Sequence, residues 1–126
     1  MTKSLWHGQL RDGLATMGLS LDEDRQEKLL AFLGLLNKWN RAYNLTAVRD
    51  ERVMVSRQLL DSLSILPWVT TDHLLDVGAG GGLPGIPLAI ALPEKRFTLL
   101  DSNGKKTRFL NQCVLELGLK NVEVVH

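Results

Sequence analysis

The chain has 126 residues, 44% of them hydrophobic, and a formal net charge of +1, the size and apolar content of at most one ordinary globular domain. With 15 basic against 14 acidic side chains, there is no global positive field to draw in a nucleic acid. No apolar run approaches the ~20 residues of a membrane span, and no signal peptide is visible. The single cysteine, Cys113, cannot form an internal disulfide, so a cytoplasmic protein without membrane association is expected.

Leu5, Leu10, Leu14 and Met17 predict a weak helix over Ser4–Met17, interrupted by Gly8 and Gly13 and stopped by Gly18. Trp6 and His7 read as ordinary residues of that helix, and no metal site is expected. Ser20-Leu21-Asp22-Glu23 has the S-x-x-E form of a capping box opening a second helix. There Leu29, Phe32, Leu36, Trp39 and Tyr43 follow at spacings of three and four, one apolar stripe. Asp22, Glu23 and Asp24 suit the positive end of its dipole, and Lys38 and Arg41 the negative end. Trp39 and Tyr43 read as core residues packing on a sheet.

Turn formers interrupt the helical pattern from Asn44 to Asp50. Arg49 lies among them, and surface exposure and contact with an RNA phosphate are equally open for it. Val55, Leu59, Leu63 and Leu66 rebuild a helical stripe within Glu51–Leu66, closed by Pro67, with Arg57 and Asp61 spaced as an i,i+4 ion pair. Residues 1–70 therefore predict three helices packing on a sheet that begins after them.

Leu74, Leu75 and Val77 predict a short buried strand of a parallel sheet. Five glycines between Gly78 and Gly85 form a turn where backbone meets a ligand without an intervening Cβ, and an apolar helix, Ile86–Leu92, follows. Two registers fit. Gly80 to Gly85 matches the dinucleotide pattern G-x-G-x-x-G, while Asp76-Val77-Gly78-Ala79-Gly80-Gly81-Gly82 matches D-x-G-x-G-x-G, the motif of class I S-adenosylmethionine (AdoMet) methyltransferases. A pyrophosphate needs free N–H groups at the helix start, and Pro84 and Pro87 each lack one. AdoMet has no phosphate and loses nothing there, so it is the ligand expected. Asp76 stands where it would orient backbone amides or meet the methionine amino group.

Phe97–Leu100 predicts a second strand, with Asp101 at its end, 19 residues beyond Gly82. A carboxylate there accepts from ribose hydroxyls, a reading preferred to a cap on the next helix. The basic run Lys105, Lys106 and Arg108 sits where that helix begins. Cations oppose the dipole there, so either RNA phosphate relieves them or they splay into solvent. Leu110, Cys113, Val114 and Leu117 make the buried stripe of this helix, and Gly118 ends it. Val122–Val125 is a third strand. Residues 71–126 read as the first half of a doubly wound domain, because such sheets have more than three strands.

Lys38 to Thr46, Leu60-Asp61-Ser62, Asp76 to Gly82 with Leu83-Pro84-Gly85-Ile86-Pro87, and Leu99 to Ser102 together resemble the RsmG (GidB) family of bacterial 16S rRNA guanine-N7 methyltransferases. The resemblance implies a Rossmann-like class I methyltransferase fold, α/β, preceded by three helices and present here as its N-terminal part. It implies AdoMet as cofactor, with Gly78 and Leu83 lining its pocket beside Asp76, Gly80 and Gly82, and Asp101 near the ribose. The partner implied is 16S rRNA or the small ribosomal subunit, bound by a monomer, with Lys105, Lys106, Arg108 and Arg49 as candidate RNA contacts. No catalytic acid or base is nominated, since guanine N7 carries a lone pair and no proton. Gln58 departs from the family pattern, which usually has His after Arg57. The competing readings are half of an NAD-type oxidoreductase and a non-catalytic interaction module.

Overall fold

The computed structural model describes residues 2–126. Helices α1 (Thr2–Met17) and α2 (Glu23–Tyr43) are followed by a π-helical turn (Val55–Leu60), the short α3 (Asp61–Leu63) and a 3-10 turn (Leu66–Trp68). Then come β1 (His73–Val77), α4 (Gly85–Ala91), β2 (Arg96–Leu100), α5 (Gly104–Leu117) and β3 (Val122–Val125). The strands pair in parallel in the order β1-β2-β3, with Leu75 opposite Thr98 and Thr98 opposite Glu123. This alternation of parallel strands and crossover helices is the N-terminal part of a Rossmann-like sheet.

The helices depart from the sequence expectation in instructive ways. α1 runs unbroken through Gly8 and Gly13. A Cβ on Gly13 would collide with the Leu60 side chain, so this glycine permits a close approach of two segments. The buried stripe of α1 is Trp6, Leu10 and Leu14, while Leu5 and Met17 are exposed. Trp6 is anchored by its indole N–H, which donates to the Glu51 carbonyl at 2.9 Å.

The expected capping box does not form. Asp22 caps α2 instead, its carboxylate accepting from the Arg25 amide at 2.9 Å. Aspartate caps as well as serine, and starting at Glu23 puts two carboxylates in the first turn. Trp39 and Tyr43 stack edge to face at 5.1 Å, and Trp39 meets Phe109 of α5 at 5.9 Å. Their partner is thus α5 and not the sheet.

The third helix is π-helical over most of its length. The Asp61 amide bonds to the Ser56 carbonyl, five residues back, and the Ser62 hydroxyl donates to the Gln58 carbonyl at 2.9 Å. A hydroxyl that takes a helix carbonyl in this way competes with the regular ladder. The Arg57–Asp61 pair expected at i+4 is not formed. Among the described residues neither side chain has an ion-pair partner.

All helices lie on one side of the sheet. Phe97 and Leu99 are buried beneath them, whereas Leu75 and Val77 are 63% and 69% exposed on the other face. β1 alternates between the two environments, with Leu75 and Val77 on the face that the helices of this chain leave uncovered, as expected of three strands of a doubly wound sheet. One apolar core joins α1, α2, the π turn, α4, α5 and β2 through residues such as Leu10, Phe32, Leu59, Ile86, Leu99 and Phe109. It sets α2 directly behind the glycine turn.

Candidate functional site

The loop between β1 and α4 is held from several directions. The amides of Gly78 and Ala79 both donate to the Leu100 carbonyl, at 2.7 and 3.0 Å, tying the loop to the end of β2. The Asp76 carboxylate accepts from the Gly85 amide at 3.1 Å. The Asp101 carboxylate accepts from Gly80 at 2.9 Å with one oxygen and from Asn103 at 2.8 Å with the other. Carboxylates at the ends of two neighbouring strands thus fasten opposite ends of the loop. Asp101 does not cap α5; Asn103 does, accepting from the Lys105 and Lys106 amides.

The two carboxylates are tuned in opposite directions. Burial raises the pKa of Asp76, the Gly85 amide works against that rise, and the charge on Asp101 adds to it. The pKa of Asp101 is lowered, first by the Asn103 amide; burial opposes this, and the Gly80 amide, Lys106 and His126 lower it further.

The glycines play different parts. Gly78, Gly80 and Gly82 all have positive φ, of 73°, 51° and 84°. A Cβ on Gly78 would meet nothing within 4 Å, because Gly78 borders a cavity of about 410 Å³ shared with Val77, Leu100, Asp101, Ser102 and His126. A Cβ on Gly82 would fall 2.8 Å from Ile86 and 3.3 Å from Phe32, so Gly82 faces the core. Gly85, too, admits no side chain, since a Cβ there would strike Leu99 and lie 2.8 Å from the Asp76 carboxylate. Leu83 is half-buried and borders a second cavity, of about 340 Å³, with Arg57, Asp61, Ser62, Ile65 and Pro84. The predicted set is therefore distributed: Gly78 and Asp101 face one cavity, Leu83 another, while Asp76 and Gly82 shape the loop.

The start of α4 has no amide to offer a phosphate. The Gly85 amide is taken by Asp76, the Ile86 amide by the Gly82 carbonyl, and the Leu88 amide by the Pro84 carbonyl. Pro87 has none.

The basic candidates also separate. The Lys106 ammonium lies beside the loop, 4.0 Å from where a Gly80 Cβ would stand. Lys105 sits 6.0 Å above the Tyr43 ring, and Arg108 donates to the Tyr43 hydroxyl at 3.5 Å. Arg49 donates to the Asn44 side chain at 2.7 Å, just beyond the end of α2. Tyr43 was not expected at such a site. Its spacing reads only as apolar stripe, and nothing local announces that α5 begins beside it.

Gln58 is buried and donates to the Thr46 hydroxyl at 2.9 Å, while the Thr46 amide donates to the Asn40 side chain at 2.9 Å. This network braces the segment carrying Leu45, whose carbonyl would lie 3.2 Å from a Cβ on Gly81. Gln58 thus has a structural task behind the loop. Cys113 is buried in the core, its thiol pushed up to about 12 mainly by burial. His7, Glu23 and Glu27 bring three donor atoms within 4.8 Å of one another at the exposed α1–α2 surface, and none of them borders the glycine loop. No helix among the described residues is long and apolar enough to cross a membrane.

Residues 25–126 match the family model described as GidB, rRNA small subunit methyltransferase G. Over all 126 residues the chain is 85% identical to the ribosomal RNA small subunit methyltransferase G of Marinobacter nauticus, covering 59% of that protein. It is 67% identical over 120 residues to the protein of the same name from Ectopseudomonas mendocina, with 94% of this chain and 56% of that protein covered. To the one from Pseudomonas aeruginosa it is 66% identical over 119 residues, with the same two coverages of 94% and 56%. The chain thus spans less than two thirds of the length of these relatives.

Proposed function

Because the chain belongs to the GidB family, rRNA small subunit methyltransferase G, we propose that it is part of an enzyme methylating N7 of a guanine in 16S rRNA with AdoMet as donor. Residues 1–70 contribute a helical layer and residues 71–126 the first half of the cofactor domain. The observation that carries the cofactor assignment is the loop itself. Gly78 opens onto a cavity beside the Asp101 carboxylate, and no amide at the start of α4 is free for a phosphate. Those features suit an adenosine ligand without a pyrophosphate and oppose a dinucleotide.

When bound, AdoMet supplies an electrophilic methyl carbon on a sulfonium. Asp101, an anionic acceptor at the cavity edge, would hold the ribose. Gly78 would let the ligand lie against backbone, while Asp76, Gly80 and Gly82 keep the loop in shape and Leu83 walls its far side. Lys106, beside Asp101 and Gly80, balances the charge of the pocket. Guanine N7 would use its own lone pair and carries no proton to remove, so the residues' task would be to align the two ligands and exclude water. Lys105, Arg108 and Arg49 would meet RNA phosphates near Tyr43, whose ring offers a stacking surface. An rRNA substrate would place the protein in the cytoplasm.

Calorimetric titration with S-adenosylhomocysteine tests the assignment. Binding is expected, and Asp101→Ala should weaken it by about tenfold or more through loss of a charged hydrogen bond. Micromolar binding of NADH in its place would overturn the reading.

A further inference from the structure

The second cavity has no part in the cofactor assignment apart from Leu83. One wall is the π-helical turn and α3, which supply Arg57, Asp61 and Ser62; the other is Leu83 and Pro84 of the glycine loop, with Ile65 at the side. Its volume, about 340 Å³, lies in the range of small-molecule sites. Ser62 is buried and committed to the Gln58 carbonyl. Arg57 and Asp61 are exposed and have no ion-pair partner among the described residues. Their i,i+4 spacing would let them pair, yet in this structure a guanidinium and a carboxylate stand unpaired on the rim of one cavity. π turns such as the one carrying Arg57 recur at functional sites.

We propose that this cavity reads a guanine base, Asp61 accepting from N1–H and the N2 amino group while Arg57 donates to O6. The inference rests on the methyl-transfer reading above and names residues that would select its substrate. Guanine is the base whose Watson–Crick edge offers two adjacent donors next to a carbonyl acceptor, the complement of a carboxylate beside a guanidinium. Adenine reverses both: its N1 lone pair would face the carboxylate and its amino group the guanidinium. Ile65, Leu83 and Pro84 give the base apolar surface to lie on. Binding by N1, N2 and O6 leaves N7 without a protein partner, as its lone pair must be for methylation. The glycine loop contributes residues to both cavities, so the base site and the cofactor site would border the same loop.

The test is fluorescence anisotropy of labelled uridine hexamers carrying one central guanine, inosine or adenine, titrated with the 126-residue chain. The guanine hexamer should bind about tenfold or more tightly than the adenine one, with inosine, which lacks the N2 amino group, in between. Asp61→Asn should abolish the preference of guanine over inosine, and Asp61→Glu should restore part of it. Both should leave the thermal midpoint unchanged. Equal affinity for the three hexamers, no measurable binding of the guanine hexamer, or a preference that survives Asp61→Asn overturns the proposal. S-adenosylhomocysteine titrated into the same samples separates the two readings. If it binds where guanine is not preferred, the pocket assignment falls alone. If guanine is preferred where it does not bind, the cofactor assignment falls alone.

Discussion

Gly78 and Gly82 look equivalent in the motif and share a positive φ, yet Gly78 faces a cavity and Gly82 the core. Gly78→Ala should cost about 1 kcal/mol of backbone strain while weakening S-adenosylhomocysteine strongly. Gly82→Ala adds a clash with Ile86 and Phe32, so it should cost about 2–4 kcal/mol in urea unfolding. The carboxylates divide in the same way. The raised pKa of Asp76 means its contribution to stability is complete below the ordinary value of 3.8 and is lost as pH rises through its folded value. The lowered pKa of Asp101 means its contribution is present above 3.8 and is lost as pH falls through its folded value. As pH rises from 3 to 7, Asp76→Asn should gain stability relative to the parent and Asp101→Asn should lose it, read from urea midpoints. Asp101 was legible as a carboxylate at a strand end. Its bond to Gly80, 21 residues back, was not, because that contact exists only once β1 and β2 are paired.

Among the elements, strands and long helices were legible because each carries one clear period. The third helix was not. Val55, Leu59 and Leu63 fit an α stripe, and nothing in that spacing reveals that Ser62 takes the Gln58 carbonyl and widens the turn. The cap of α2 was misread for a similar reason, since Ser20 and Asp22 are both competent and tertiary packing decides between them. Gln58 is the element-scale test. Gln58→Ala removes the donor to Thr46 and leaves a buried gap, so it should cost about 2 kcal/mol in urea unfolding. Gln58→His, which restores both a donor and most of the volume, should recover part of that loss.

Across the chain the parallel order of the sheet followed from strand, crossover helix and strand, and an uncovered apolar face followed from there being only three strands of a doubly wound sheet. Leu75 and Val77 lie on that face, and the helices of this chain pack on the opposite one. Leu75→Thr with Val77→Thr should therefore lower the binding of a hydrophobic dye while leaving the unfolding midpoint within about 0.5 kcal/mol. Cys113 reports on the core as a whole. With its thiol pushed up to about 12, it should react with an aromatic disulfide reagent at pH 8 only as fast as the chain opens. The glycine loop is fastened without any ligand by its bonds to Leu100, Asp76 and Asp101. In stopped-flow mixing, the observed rate of S-adenosylhomocysteine binding should rise in a straight line with concentration and reach no plateau, because no prior rearrangement stands between encounter and capture.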